Sequence, residues 1–414
     1  MVCGPVMSDQ PLNILAIASY FKGERFLRQV NARGAKVYLL TVESLLKEAW
    51  PRDCLADVFA QRDDPMAPGE QEFINTVSYL ARNIRFDRIV ALDDFDVEVA
   101  AALREHLRIP GMGDTTARHF RDKLAMRVKA KEEGIPVPEF VHVLNYDALR
   151  EFMARVPPPW MFKPRFEASA TGIIKVESPE QLWRVLDEKG DKQSYFLLEK
   201  YLPGDVYHCD SIVWDRKTAF CEAHRCGKPP FNVAHGGGIF TTSTLPRGSE
   251  DEKQIKALND QVLQKLNMVR GVNHVEFIKR SSDGKFFMLE SAARVGGAHI
   301  AETIEGATGV NLWEEWANVE VDYAQGKQYQ IKPARQEYGG LAVTLAKQEH
   351  PDLSAYDDPE IFFRVPKKQH VGLVLRSKDH ARIQQLLDSY QERFVRDFAA
   401  VLPAKEKSLQ SRVG

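Results

Sequence analysis

HVEFIKRSSDGKFFMLESAARVGG, residues 274–297, is the stretch on which the fold turns. Two apolar runs flank the turn-forming residues SSDG, so the segment reads as a β-hairpin. Glu276 lies in the first run and Glu290 in the second, and a hairpin turning there sets them opposite each other on one face. Like charges facing each other across two strands destabilise a sheet. The neighbouring Val275, Phe277, Phe287, Met288 and Leu289 mark the hairpin as buried, against the bland alternative of glutamates meeting surface lysines. A divalent cation between the carboxylates reverses the sign of the interaction, and Mg2+ favours one or two carboxylates plus phosphate oxygens and water. Arg294, four residues beyond Glu290, is placed to hold an anion beside such a metal.

Two lysines and a hinge strengthen this reading. WMFKPRFEASATGIIKV, from residue 160, puts Lys163 at the end of an apolar strand, and the small residues Ala168 to Gly172 follow it. Small side chains let backbone N–H groups approach phosphate oxygens closely; the alternative is a plain hairpin with a surface lysine. Lys123, in FRDKLAM, taken alone reads as a solvated helix face. YFLLEKYLPGDVYHCDSIVWD carries an apolar strand to Glu199, crosses a Pro-Gly hinge and continues as a second strand. Glu199, the backbone of Lys200 to Leu202, and Asp205 form a candidate adenosine site, because backbone groups can read the adenine edge and carboxylates can accept from amino and hydroxyl groups.

Outward from there the chain alternates. LNILAIAS, AKVYLLT and FDRIVALDD read as strands, with amphipathic helices between and after them, so residues 1–111 are expected to form a Rossmann-like parallel α/β domain. No GxGxxG follows the first strand, which argues against a dinucleotide there. GDTTARHFRDKLAMRVKAKEEG is expected to run as one helix from an Asp/Thr cap to Gly134. Residues 112–205 are read as this helical linker and a lid subdomain, 206–330 as a subdomain holding the metal site, and 331–414 as a small α+β domain.

The order of RDK, FKP, LLEKYLPGD, HVEF and LESAARVGGAH resembles the ATP-grasp superfamily over roughly residues 12 to 325. The resemblance implies an ATP-grasp fold, α/β and α+β, that clamps ATP between two subdomains. It also implies an enzyme that activates a carboxylate as an acyl phosphate, from which an amine then displaces the phosphate. By this resemblance Lys123 and Lys163 contact ATP phosphates, Glu199 and Leu202 hold adenine, and Asp205 takes the ribose. Glu276 and Glu290 bind Mg2+, with Mn2+ as a substitute, and Arg294 faces the acyl phosphate. Many members carry Asn two positions after the second metal glutamate; here that position is Ala292, which puts the number of metal ions in question.

LESAARVGGAHI resembles most the amino-acid and dipeptide ligases, including carnosine synthase-like enzymes. Gly296 and Gly297 are expected to turn backbone N–H groups toward a substrate carboxylate. In CGKPPFNVAHGGGIFTTSTLP, His235 is a candidate to bind a carboxylate or take the amine's proton, against the alternative of a loop histidine with no role. The competing functions are carboxyphosphate chemistry, as in biotin carboxylase or purine-biosynthesis enzymes, and non-catalytic nucleotide binding.

Composition sets the frame. Among 414 residues, 56 Lys and Arg against 58 Asp and Glu give a net charge of −2, with no basic field for nucleic acid. No apolar run of about 18 residues suggests a membrane span. MVCGPVMSDQPLN lacks the pattern of a signal peptide and five scattered cysteines suit a reducing cytoplasm, where a homodimer is the expected assembly. Cys221, His224 and Cys226, with His208 and Cys209 a strand away, lack the spacing of a zinc knuckle, and inward-packed thiols are expected.

Overall fold

Alternate residues of the strand β1 (Asn13–Ile17) enter different cores: Ile14 and Ala16 pack on one side of the sheet, Leu15 and Ile17 on the other. A strand buried on both faces reads as a continuous apolar run because helices cover both sides. The computed structural model describes residues 11–62, 69–168, 170–229, 231, 233 and 238–398. In it β1 pairs in parallel with β2 (Lys36–Val42) and β4 (Arg88–Ala91), and β2 with β3 (Leu55–Gln61), giving the order β3-β2-β1-β4. The helices α1 (Glu24–Ala32), α2 (Glu70–Leu80) and α3 (Val97–Leu107) follow β1, β3 and β4.

The single long helix expected from Gly113 to Gly134 is two helices, α4 (Asp114–Arg118) and α5 (Lys123–Glu132). Asp122 breaks it. Its backbone is extended, its side chain accepts from the Leu124 N–H, and it pairs with Arg165. A short acceptor at this position satisfies an orphan helical donor and starts a new helix. The break sets Lys123 at the first turn of α5.

A second sheet, antiparallel, holds β5 (Phe140–His142), β6 (Trp160–Pro164), β7 (Ile174–Val176) and β8 (Phe196–Lys200) in the order β5-β8-β6-β7. It packs on α6 (Tyr146–Arg155) and α7 (Pro179–Lys189) through a core of its own, with Trp160, Phe162 and Leu198 at its centre.

The third sheet is larger. It contains β9 (Gly204–Trp214), β10 (Lys217–Cys226), β11 (Phe240–Thr244), β12 (Gly271–Arg280) and β13 (Phe286–Ala292). The C-terminal strands β14 (Tyr338–Leu345), β15 (Ile361–Arg364) and β16 (His370–Ser377) join it, in the order β13-β12-β9-β10-β11-β14-β16-β15. The C-terminal α+β segment therefore extends this sheet rather than standing apart from it. α8 (Glu250–Lys265), α9 (Ile300–Thr308), α10 (Leu312–Ala324) and α11 (His380–Asp397) complete the body.

α9 and α10 weld the first sheet to the third. Ile300, Ile304, Leu312 and Trp316 share one core with Phe26 and Leu27 of α1. Arg25 reaches Glu305 and Glu314, and Arg33 reaches Asp322. This contact brings the C-terminal ends of β1 and β4 against the loop that leaves β13, where parallel sheets place ligands. None of the described helices is long and apolar enough to cross a membrane.

Candidate active site

Glu276 and Glu290 are paired directly across β12 and β13. The turn does not produce this alone. Next to it Lys279 pairs with Phe286, and counting back from that register would place Leu289 opposite Glu276. A bulge between Glu276 and Phe277 shifts the register by one and turns Glu290 onto the face of Glu276. The two acids do not meet unscreened. Lys123 Nζ lies 2.8 Å from Glu290 Oε1, and His274 Nε2 lies 3.5 Å from Glu276 Oε1. Burial pushes the Glu276 carboxyl up, but the His274 imidazole outweighs it and the net shift is down.

Lys123 is no solvated helix face: it is 5% exposed. Its ammonium also donates to the Glu167 carbonyl at 2.6 Å, and its own N–H donates to the Arg165 carbonyl. One residue thus ties the start of α5, the loop after β6 and Glu290 together.

Lys163 and Glu199 lie on one face of the second sheet, since Glu199 pairs with Met161, two residues before Lys163. They form an ion pair. Glu199 Oε2 is taken by Arg127, with Nε at 3.1 Å and a terminal nitrogen at 3.0 Å. Burial raises the Glu199 carboxyl, but Arg127 and Lys163 override it and hold it below its usual range. In this structure both oxygens of the carboxylate expected at adenine are paired with cations. Arg127 was missed in the sequence, although it lies four residues after Lys123, on the same helical face.

The hinge between β8 and β9 borders a cavity of about 550 Å³, lined by Lys200, Tyr201, Leu202, Pro203, Val137 and Phe287 among others. The Leu202 N–H donates to no group among the described residues, which suits an adenine-edge contact. Asp205 is exposed at the start of β9 and paired with Arg225 at 2.8 Å, so a ribose there would compete with a guanidinium.

Arg294 leaves β13 and meets Asp94, which follows β4. Its Nε and a terminal nitrogen stand 2.7 and 2.6 Å from Asp94 Oδ2, and its other terminal nitrogen donates to the Val295 carbonyl at 3.0 Å. Burial alone would lift the Asp94 carboxyl, but Arg294 and Arg121 hold it down at about 2. Three acids cluster here: Asp93 pairs with Lys22, and Asp96 accepts from the Ser19 N–H and hydroxyl. Asp93 and Asp94 were read only as the end of a strand, and Asp96 was not singled out.

Gly296 is buried and Gly297 exposed. A Cβ at Gly296 would stand 2.7 Å from Asp210 Oδ1 and 3.1 Å from His274 Nδ1, so no side chain fits. Ala298 and His299 follow with φ of 51° and 64°, a left-handed pair that strains non-glycine residues and is held by the surrounding fold. Beneath this loop lies a row that sequence reading missed. Asp210, fully buried, accepts from His208 Nδ1 at 2.7 Å and from His274 Nδ1 at 2.8 Å. Burial would lower the His274 imidazole, but Asp210 raises it to about 10, so it faces Glu276 as a cation. His208, Asp210 and His274 are the one group of metal-ligating side chains that converges among the described residues, and the cysteines stay outside it. Cys209 and Cys226 pack inward as free thiols. His235 lies outside the described residues.

The descriptive model of the ATP-grasp domain matches residues 128–299. D-alanine–D-alanine ligase from Neisseria gonorrhoeae is 31% identical over 234 residues, which cover 52% of this chain and 68% of that protein. The chain belongs to the ATP-grasp family. An L-arginine-specific L-amino acid ligase from Bacillus subtilis is 28% identical over 243 residues, 57% of this chain and 58% of that protein. The chain thus spans less than two thirds of that ligase, and 61% of a D-alanine–D-alanine ligase from Delftia acidovorans. The ATP-grasp fold itself extends further: the L-amino acid ligase from Bacillus licheniformis superposes with a TM-score of 0.70 over 94% of this chain and 98% of that one, at 15% identity. N5-carboxyaminoimidazole synthetase from Staphylococcus aureus superposes with a TM-score of 0.68 over 92% of this chain and 97% of that one, at 16% identity.

Proposed function

We propose that the chain is an ATP-dependent carboxylate–amine ligase: it activates a small carboxylate, an amino acid, as an acyl phosphate and joins it to an amine, releasing ADP and phosphate. One observation carries this reading. Opposed carboxylates Glu276 and Glu290, a buried lysine on one of them and an arginine at the same strand end are gathered at one place. An all-oxygen pair of carboxylates suits Mg2+, and Mn2+ as a substitute, better than a softer metal. Glu276 and Glu290 would hold it, and a bound Mg2+ would supply charge neutralisation across phosphate oxygens.

The chain's own residues do the rest. Lys163, backed by Glu199, offers a fixed ammonium to a phosphate, and Lys123 offers a second once it leaves Glu290. Arg294 keeps one N–H free on each terminal nitrogen, because Asp94 and the Val295 carbonyl take only three of its five donors. A planar fork of fixed charge stabilises the oxygens on which charge develops during phosphoryl and acyl transfer. The relatives' names, an L-amino acid ligase and D-alanine–D-alanine ligases, support an amino acid as the carboxylate.

The test is a phosphate-release screen of amino-acid pairs, with hydroxylamine added to trap the activated carboxylate as a hydroxamate. ADP, phosphate and a hydroxamate are expected. AMP as the product, or bicarbonate as the sole stimulating carboxylate, overturns the reading, the second in favour of carboxyphosphate chemistry.

A further inference from the structure

Between the first sheet and the third lies a cavity of about 120 Å³, apart from the glutamate pair. A water molecule's share of liquid is about 30 Å³, so the space holds a few waters or one small ion. Its walls come from β4, α3, the turn at Gly111 and Met112, the start of β12, and α10. Their polar groups are unbalanced. Arg88 is neutralised by Glu320, at 2.7 and 2.6 Å. Arg104 and Arg270 have no carboxylate within ion-pair distance among the described residues. Arg104 donates from Nε to the Met112 carbonyl and from one terminal nitrogen to the Ile89 carbonyl, and its other terminal nitrogen has no acceptor among the described residues. The Trp316 Nε1–H likewise donates to no described group. The Arg270 guanidinium lies 3.2 Å from the centroid of the Tyr323 ring, whose face fixes it in place.

Two glycines make room for these side chains. A Cβ at Gly111 would stand 2.4 Å from Arg104 Cδ and 2.9 Å from its Nε, and one at Gly271 would stand 3.4 Å from Trp316 Nε1. Burial, and then Arg88, pull the Arg104 guanidinium down to about 10 against the opposing pull of Glu320. Buried charges are ordinarily paired. Of the two guanidiniums Arg104 is buried and Arg270 half-buried, and the cavity between them offers spare donors without a carboxylate for either.

We propose that this cavity is a binding site for a small oxyanion, a carboxylate or a phosphate, held between Arg104, Arg270 and Trp316 Nε1. Guanidinium forks match the planar oxygens of both. Ala293, the chain neighbour of Arg294, and β4, which leads to Asp94, both line the cavity.

The experiment uses the full chain with Mg2+ and a non-hydrolysable ATP analogue at saturation, so that the nucleotide site is filled. Inorganic phosphate is titrated in one arm and acetate in the other, at constant ionic strength, with calorimetric heat and indole emission as readouts. Saturable binding of either anion is expected, weakened about tenfold in Arg270→Gln. In Trp316→Phe the emission change is lost, and the heat persists with weaker binding because one donor is gone. Phosphate alone saturating assigns the site to phosphates, acetate alone to carboxylates. No saturation of either on the order of 10 mM, or an Arg270→Gln variant that binds as the wild type does, overturns the proposal.

Discussion

Replacing Glu199 with Gln separates two accounts of that residue. If the carboxylate supports Lys163, the change leaves two cations, Lys163 and Arg127, against one neutral amide in a site where Glu199 is 1% exposed. The amide oxygen can accept from one cation, and its NH2 then faces the other. Removing one partner of a buried ion pair costs about 3–5 kcal/mol, because an uncompensated charge stays buried. Each kcal/mol moves the melting midpoint of a large cooperative unit by roughly 2–4 °C, so a fall of about 10 °C is expected. ATP affinity should also fall, since Lys163 loses its fixed position, but the preference for ATP over GTP should hold. If instead the carboxylate reads the adenine amino group, stability should be nearly unchanged and the ATP over GTP preference should collapse. Differential scanning fluorimetry and competition binding of the two nucleotides decide it. An unchanged midpoint with lost discrimination refutes the support role.

Glu290→Gln should lower turnover by about 10²–10³-fold with the fold intact by circular dichroism, and raising Mg2+ should not restore it; near-normal activity at low Mg2+ would sink the metal assignment. Lys163→Ala should weaken ATP binding by about 1.5–3 kcal/mol, read by calorimetry. Arg294→Lys should lower kcat far more than it raises KM for ATP, because a point charge replaces a fork whose contact is strongest in the transition state. Asp94→Asn tests the other end of that fork: Asp94 is held at about 2, below its usual value of about 3.9, so its stabilisation is full above about pH 4 and disappears as the pH falls toward 2. The stability gap between wild type and Asp94→Asn in urea should stay constant from about pH 8 to pH 5 and close below pH 4; closure already between pH 7 and 5 would refute the assignment.

What was legible in the sequence was local. Side-chain alternation and a tight turn are enough to bring Glu276 and Glu290 onto one hairpin, and apolar runs with helices between them give the parallel sheet. The bulge that turns Glu290 onto the face of Glu276 leaves no signature in residue type. Asp122 was visible, yet a helix-breaking cap and a solvated helical aspartate look alike until Arg165 arrives from the next strand. Arg294 was found, but its partner Asp94 lies 200 residues away and depends on how the first sheet docks on α9 and α10. The same holds for Asp210, which reads as one polar residue in an apolar strand until the pairing of β9 with β12 sets His274 beside it. Long-range pairing decides these cases, and a single sequence does not carry it.

The question of how a sheet tolerates two opposed glutamates has an answer in the charges around them. Glu290 is met by Lys123 and Glu276 by His274, while Asp210 keeps His274 charged, so neither acid faces the other alone. Under the proposed function this arrangement is also a switch. Lys123 holds the Glu167 carbonyl and Glu290 together, so the loop after β6 and the metal-site strand share one ammonium. A divalent cation at Glu290 repels that ammonium, and a phosphate nearby attracts it. Under that reading the two ligands together would draw Lys123 away from Glu290. Neither ligand alone supplies both the push and the pull. The two glutamates are then stable without ligand because protein cations meet each of them, and a metal held by Glu276 and Glu290 would supply the same charge compensation.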